Sequence, residues 1–366
     1  MQSMSNENSS QNQSQQIHAV VQQEDKNKNI SENLEKMMDF LKNNCPLFSK
    51  NFELLNYVNC NATGAVYLGK IKIADKGQKK KRKLLAFKFY NTKKNDQENS
   101  KKIINEIKNQ KRLHYKYISK IIDVYKMNDS NFFSVSEFGD YGKLDNFLYR
   151  FLKKKFLSET FVNYLAKQIL EALNFMHKKK IYHLDIKKGN IVLDDYLNVK
   201  LIDFSSAFNF EGHEPNDLIK FPKIGTGRYM PREILINKEI EIKYGEKIDV
   251  YSLGVTLYHL TFGSFPYGLD NIQGSDFDKI AEQLDKDTLK FPTDTKISKM
   301  FEKFLMNTLE KDYLKRYSIK DALNDPWIKG WDFINEEKEN IGIMKNFINK
   351  LITDSIPQFN DYIKYN

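Results

Sequence analysis

Four side chains within one short stretch carry the densest chemistry in this sequence: His183, Asp185, Lys187 and Asn190, spaced H-x-D-x-K-x-x-N. Asp203-Phe204 follows, with Asp203 13 residues beyond Asn190. These are the residue types that moving a phosphoryl group requires. A carboxylate accepts the proton of an attacking hydroxyl, and a lysine neutralises the γ-phosphate. An amide oxygen and a second carboxylate hold Mg²⁺. Val192–Leu193 and Val199–Leu201 flank the turn signal Asp194-Asp195-Tyr196, which predicts a hairpin of two short strands. That hairpin would bring Asn190 and Asp203 to the same end, where a metal could sit between them.

The stretch Ile181–Phe204 resembles the catalytic loop and metal-binding segment of the eukaryotic protein kinase family. The resemblance implies that Asp185 is the catalytic base, Lys187 the γ-phosphate neutraliser, and Asn190 and Asp203 the ligands of Mg²⁺ (or Mn²⁺). Two departures stand out. Leu184 occupies the place of the family's usual Arg before the catalytic Asp, and Ser205 the place of the Gly after Asp-Phe.

At 366 residues the chain is long enough for one large or two modest domains. It has 58 basic and 48 acidic residues, a net +10, and many lysines fall in loop-like runs such as Lys79–Lys83. A solvated lysine-rich surface is the plainer reading. An anionic partner, membrane or nucleic acid, is the other, and no RNA- or DNA-binding motif raises it. Cys45 and Cys60 are the only cysteines, so there is no disulfide framework. No apolar run reaches the roughly 18 residues of a bilayer span. The expected location is the reducing cytoplasm, with the nucleus also allowed.

Residues 1–30 are Gln/Asn/Ser-rich and read as a disordered tail. Residues 31–51 read as a helical extension, with Leu34, Met37, Met38 and Leu41 on one face after the N-cap candidate Ser31. That face packs on the first domain or meets a regulatory partner. From Phe52 the pattern turns to strands. Asn59 to Val66 sits where the resemblance expects the glycine-rich lid over ATP phosphates, but only Gly64 and Val66 match it. Asn59 and Asn61 replace two glycines, and Asn is the substitute that best tolerates positive φ. Lys88, inside an apolar strand, matches the family's lysine for the α- and β-phosphates, with Glu106 on the next helix as its partner. Gln110, one turn on, stands where the family packs an apolar residue.

The resemblance further implies an adenine site. Val66 and Ala86 would cover the ring, Val192 would support it from below, and Val58 would also belong to the ATP site. Glu137 and Gly139 lie in the hinge, and Ser136 guards the pocket behind it. Helix Phe161–His177 would feed the catalytic loop. Thr226 would brace that loop, Glu233 would pair with Arg316, and Asp249 would anchor the loop from a buried helix. Ile341, Met344, Phe347, Ile348 and Leu351 form a helical stripe in a C-terminal extension, 330–366, which packs on the large lobe or meets a partner.

The expected fold class is α+β, a two-lobed protein kinase domain over 52–329. Its small β-rich lobe with one helix spans about 52–136, and its mostly helical large lobe about 140–329. The expected activity is ATP-dependent phosphorylation of serine or threonine in a protein substrate. The alternative is a pseudokinase, a nucleotide-binding or scaffolding module. Members that prefer arginine before the hydroxyl carry acids at three groove positions. Here these align with Lys143, Gly189 and His259, so the substrate is not expected to be arginine-directed.

Overall fold

Leu85–Asn91 alternates as a strand between two environments must. Phe87 and Phe89 are buried, while Ala86 and Lys88 are half-buried on the opposite face. This is β3 in the computed structural model, which describes residues 35–43, 45–61, 64–72, 84–91, 97–127, 131–148, 157–272 and 276–330. The expected tail 1–30, the run Lys79–Lys83 and the stripe from Ile341 to Leu351 lie outside the described residues. The described residues divide into two compact units. One holds those up to Asn91 with Ile122–Ser136, and the other holds 97–121 and 137–330.

The first unit is a five-stranded sheet. It contains β1 (Phe52–Asn61), β2 (Gly64–Ile71), β3, β4 (Ile121–Lys126) and β5 (Asn131–Glu137), in the order β1-β2-β3-β5-β4. Its buried face is aromatic: Phe48 lies 5.6 Å from Phe87 and 5.2 Å from Phe133 between ring centroids. Each such ring contributes roughly 1.5–3 kcal/mol through burial. Helices α1 (35–43) and α2 (Pro46–Asn51) close this core, and Leu41 is completely buried in it.

Antiparallel register sets Val66 opposite Lys88 and Leu68 opposite Ala86, so these side chains share the face away from the aromatic core. A register irregularity between Tyr57 and Asn59 accommodates Val58, which is exposed. Gly64 is required by packing, since a Cβ there would fall 2.1 Å from the Phe89 carbonyl oxygen. Asn59 and Asn61 both lie in extended β1, paired with Val66 and Gly64. The expected reason for asparagine at those positions therefore does not hold.

The second unit is mostly helical. It begins with α3 (Gln97–Lys111) and continues through the short β6 (Gly142–Lys143) and α4 (Leu144–Phe147) to α5 (Glu159–Lys178). Ser158 caps α5 by accepting from the Phe161 N–H, and Leu165, Ile169, Leu173 and Met176 follow at helical spacing into the core. Next come β7 (Ile181–Tyr182), β8 (Ile191–Leu193), β9 (Val199–Leu201), β10 (Phe208–Asn209) and β11 (Leu218–Ile219). After them run α6 (Arg232–Leu235), β12 (Ile240–Glu241), α7 (Glu246–Phe262), α8 (Phe277–Lys286), α9 (Lys299–Thr308), α10 (Ile319–Asn324) and α11 (Pro326–Lys329). Helix α7 is buried almost all round, which lets it anchor what surrounds it. No helix among the described residues is long and apolar enough to cross a membrane.

Candidate active site

The loop from His183 to Asn190 leaves β7 and returns through a single tight turn to β8. Its anchor is Asp249 on α7, which has no solvent exposure. One carboxylate oxygen accepts the Leu184 N–H at 2.7 Å. The other accepts the His183 N–H at 2.9 Å and lies 2.8 Å from His177 Nε2. A buried carboxylate needs this many partners to offset its desolvation. The contacts also hold Leu184 at φ 62, a left-handed conformation that costs an L residue about 1–2 kcal/mol. Thr256 on the same helix donates to the Ile186 carbonyl at 3.3 Å.

This strained turn aims Asp185 into a ring of donors. Asn190 Nδ2 donates to Asp185 Oδ2 at 2.8 Å and to its backbone carbonyl at 2.9 Å. Lys187 Nζ donates to the same carboxylate oxygen at 2.8 Å and to Thr226 Oγ1 at 2.6 Å. The Thr226 N–H approaches Asp185 Oδ1 at 3.3 Å, which closes the ring. Gly225 before it has φ 117, and a Cβ there would fall 2.8 Å from Asp185 Oδ1. Only glycine meets both conditions. Its place beside Thr226 is the one sequence signal that could have assigned it to the site.

The β8–β9 hairpin sets Ile191 opposite Leu201, and the Ile202 N–H donates to the Asn190 carbonyl at 3.0 Å. Asn190 and Asp203 thus come to the same end of the hairpin. With its nitrogen engaged by Asp185, the Asn190 amide turns its oxygen to the other side. Asp203 sits at φ 62, and its Oδ1 accepts from the Ser205 hydroxyl at 2.8 Å. An amide oxygen and a carboxylate are hard donors that fit Mg²⁺. The hydroxyl at Ser205, where the family has glycine, shares one of those oxygens. Phe204 is fully buried, with its ring 5.3 Å from that of His183.

Of the other predicted residues, Val58, Gly64, Val66, Ala86, Lys88 and Ser136 belong to the sheet unit, and Lys88 Nζ lies 5.2 Å from the Tyr90 ring centroid. Glu106, Glu137, Gly139 and Val192 belong to the helical unit. Glu106 is buried on α3, and Gly139 packs against Val192. The Glu137 N–H donates to the Lys120 carbonyl, while its own carbonyl accepts from Ser119 Oγ at 3.2 Å and keeps a second lone pair. Gln110 is buried and donates to the Ser119 carbonyl at 2.9 Å, which satisfies a polar side chain in an apolar setting. Asn109 donates to the Ala207 carbonyl at 3.3 Å, and Arg112 pairs with Glu211 at 2.8 Å. These two contacts tie α3 to the segment beyond Asp203. Nothing periodic in the sequence announces them.

That segment ends at Glu233, whose carboxylate receives both terminal nitrogens of Arg316 at 2.7 and 3.2 Å. Both side chains are buried, and Arg316 also donates to the Glu310, Lys247 and Lys311 carbonyls.

A description of the protein kinase domain matches residues 64–328 of this chain. The cell cycle serine/threonine-protein kinase CDC5/MSD2 of Saccharomyces cerevisiae is 30% identical over 230 residues, 63% of this chain and 31% of the yeast protein. Death-associated protein kinase 2 of Homo sapiens is 33% identical over 244 residues, 64% of this chain and 61% of the human protein. The dual specificity mitogen-activated protein kinase kinase sek-1 of Caenorhabditis elegans is 31% identical over 212 residues, 57% of this chain and 59% of that protein. The match therefore spans less than two thirds of each of these relatives. It takes in the anchored loop, the hairpin behind it and the buried ion pair, and with these the chain belongs to the protein kinase family.

Proposed function

We propose that this chain transfers the γ-phosphoryl group of ATP to a serine or threonine hydroxyl of a protein substrate. The observation that carries the reading is the ring of donors around Asp185, formed by Asn190, Lys187 and Thr226. It fixes a carboxylate in one orientation, with Lys187 beside it. The incoming hydroxyl would give its proton to Asp185 as its oxygen bonds to the γ-phosphorus and the bond to the β-phosphate oxygen breaks. Lys187 would offset charge on the transferred group, while Lys88 with Glu106 would position the α- and β-phosphates. Mg²⁺, or Mn²⁺, held by Asn190 and Asp203, would supply charge neutralisation at the phosphate oxygens. Serine/threonine preference rests on the contact between Lys187 and Thr226 and is in keeping with the yeast relative's name.

The test is transfer of radiolabelled γ-phosphate by the purified protein onto itself and onto generic proteins, with Asp185→Asn alongside. The substitution keeps the shape and removes the base, so turnover should fall roughly 10²–10⁴-fold. ATP binding without transfer by the wild type would instead make the chain a nucleotide-binding module.

A further inference from the structure

Lys188, next to Lys187, does not point toward Asp185. Its Nζ lies 3.3 Å from Asp145 Oδ1 and 3.3 Å from His259 Nε2. The other nitrogen of that imidazole, Nδ1, lies 3.3 Å from the Tyr229 hydroxyl. Arg228, two residues beyond Thr226, lays its guanidinium over the Phe265 ring at 4.3 Å. Phe265 in turn packs on the His259 ring, with centroids 4.2 Å apart. Two cations thus meet around one imidazole, on the stretch of chain that touches Asp185.

The charges of this cluster do not balance. Lys188 shares Asp145, and Asp185 is matched by Lys187. Arg232 is taken by Asp285. Arg228 has no carboxylate partner among the described residues, and its Nε is buried without an acceptor. His259 adds no charge, because burial, then Lys188 and Arg228, push its pKa down to about 3. The unbalanced Arg228 charge, with Lys188 3.3 Å from His259 Nε2, makes a field here that opposes a further positive charge and favours a negative one.

We propose that Lys188 and Arg228, arranged around His259, form a recognition site for acidic side chains of the substrate. The preferred protein segment then carries Asp or Glu within a few residues of the accepting hydroxyl. Arg228 supplies the planar fork that fits a carboxylate, and Phe265 holds it flat. Lys188 supplies a point charge nearer the catalytic loop. This inference rests on the kinase reading and names its substrate class.

The experiment uses the full chain and peptides with one serine, identical except for Glu, Ala or Arg at the flanking positions. The expected kcat/KM for the Glu peptide exceeds that for the Ala peptide by about tenfold, equivalent to about 1.4 kcal/mol. The Arg peptide falls below both, and raising the salt narrows the spread. Lys188→Ala with Arg228→Ala should bring the Glu/Ala ratio close to one, and Lys188→Glu with Arg228→Glu should invert it. Each ratio is taken within one protein, so a loss of folding or turnover cancels. A wild-type ratio at or below one, or a ratio unchanged in both variants, overturns the proposal. If the wild type transfers phosphate to no peptide and not to itself, the kinase reading fails separately. Fluorescence anisotropy then decides the site, using a labelled Glu peptide with Ala in place of Ser. Weaker binding by the Glu/Glu variant supports it, and equal binding overturns it.

Discussion

The two ends of the segment from Asp203 to Glu233 are held by polar contacts, and its middle, besides the half-exposed Arg112–Glu211 pair, is packed through aromatic rings. At the far end Thr226 touches Asp185 and Lys187, and Glu233 meets Arg316 in a buried two-point ion pair. In the middle, Phe210 stacks on Tyr182 at 4.2 Å, while Phe221 lies 5.4 Å from Phe208 and 6.0 Å from Tyr182. Strand β10 pairs with β7 and β11 with β12 around this cluster. Polar contacts are directional and fix a group within fractions of an ångström. Ring packing is less directional and supplies order. The chain uses the first where geometry sets the chemistry and the second where the backbone need only stay in place.

The same contrast bears on regulation. Leu184 is buried where the resemblance would place an arginine able to receive an activating phosphate. Ala207–Gly225 contains no Ser, Thr or Tyr. A phosphate in that device adds about one to three charge-assisted hydrogen bonds, each worth roughly 1.5–3 kcal/mol. Burying two phenylalanines contributes about 1.5–3 kcal/mol apiece, with roughly 0.5–1.5 kcal/mol more for each ring pair. The two devices are of equal scale. We propose that the aromatic cluster orders the segment in place of a phosphate.

Breaking the polar end should have the largest effect. Glu233→Ala leaves the Arg316 charge buried and unpaired, which should cost roughly 3–5 kcal/mol in denaturant unfolding. A loss comparable to a surface ion pair would show that the pair is not structural. Breaking the middle should cost somewhat less, about 3 kcal/mol for Phe221→Ala. Its signature should be local: hydrogen exchange of residues 208–221 rises well before that of α7. Uniform loss of protection across the helical unit would remove the distinction between the two regions. The last effect appears only in acid and concerns His259, held neutral down to a pKa of about 3 against an ordinary value of 6.5. Its contribution is full above pH 6.5 and is lost as the pH falls toward about 3, because the unfolded chain binds the proton first. Replacing it with Gln should flatten that part of the acid limb, and an unchanged limb would contradict the assignment.

The grouping of Asp185, Lys187 and Asn190 was legible in the sequence because these residues are neighbours in the chain and their spacing survives folding. The hairpin carrying Asn190 and Asp203 was legible for the same reason. Arg316 could be matched to Glu233 only through family resemblance, since 83 positions separate them. The Tyr182, Phe208, Phe210 and Phe221 cluster went unread, because separated aromatic residues carry no period that distinguishes an ordering contact from ordinary core. The convergence of Lys188, Arg228 and His259 is likewise a product of three distant segments. At Asn59 and Asn61 a local rule misled: a residue that tolerates positive φ does not signal it, and the strand pairing decided.

If the aromatic cluster orders the segment, phosphoryl transfer by this chain needs no activating phosphate. The direct measurement is the rate of γ-phosphate transfer before and after phosphatase treatment, with dephosphorylation verified by mass spectrometry. The expected rate is essentially unchanged. Loss of most activity, restored when phosphate returns to residues 205–229, would contradict it.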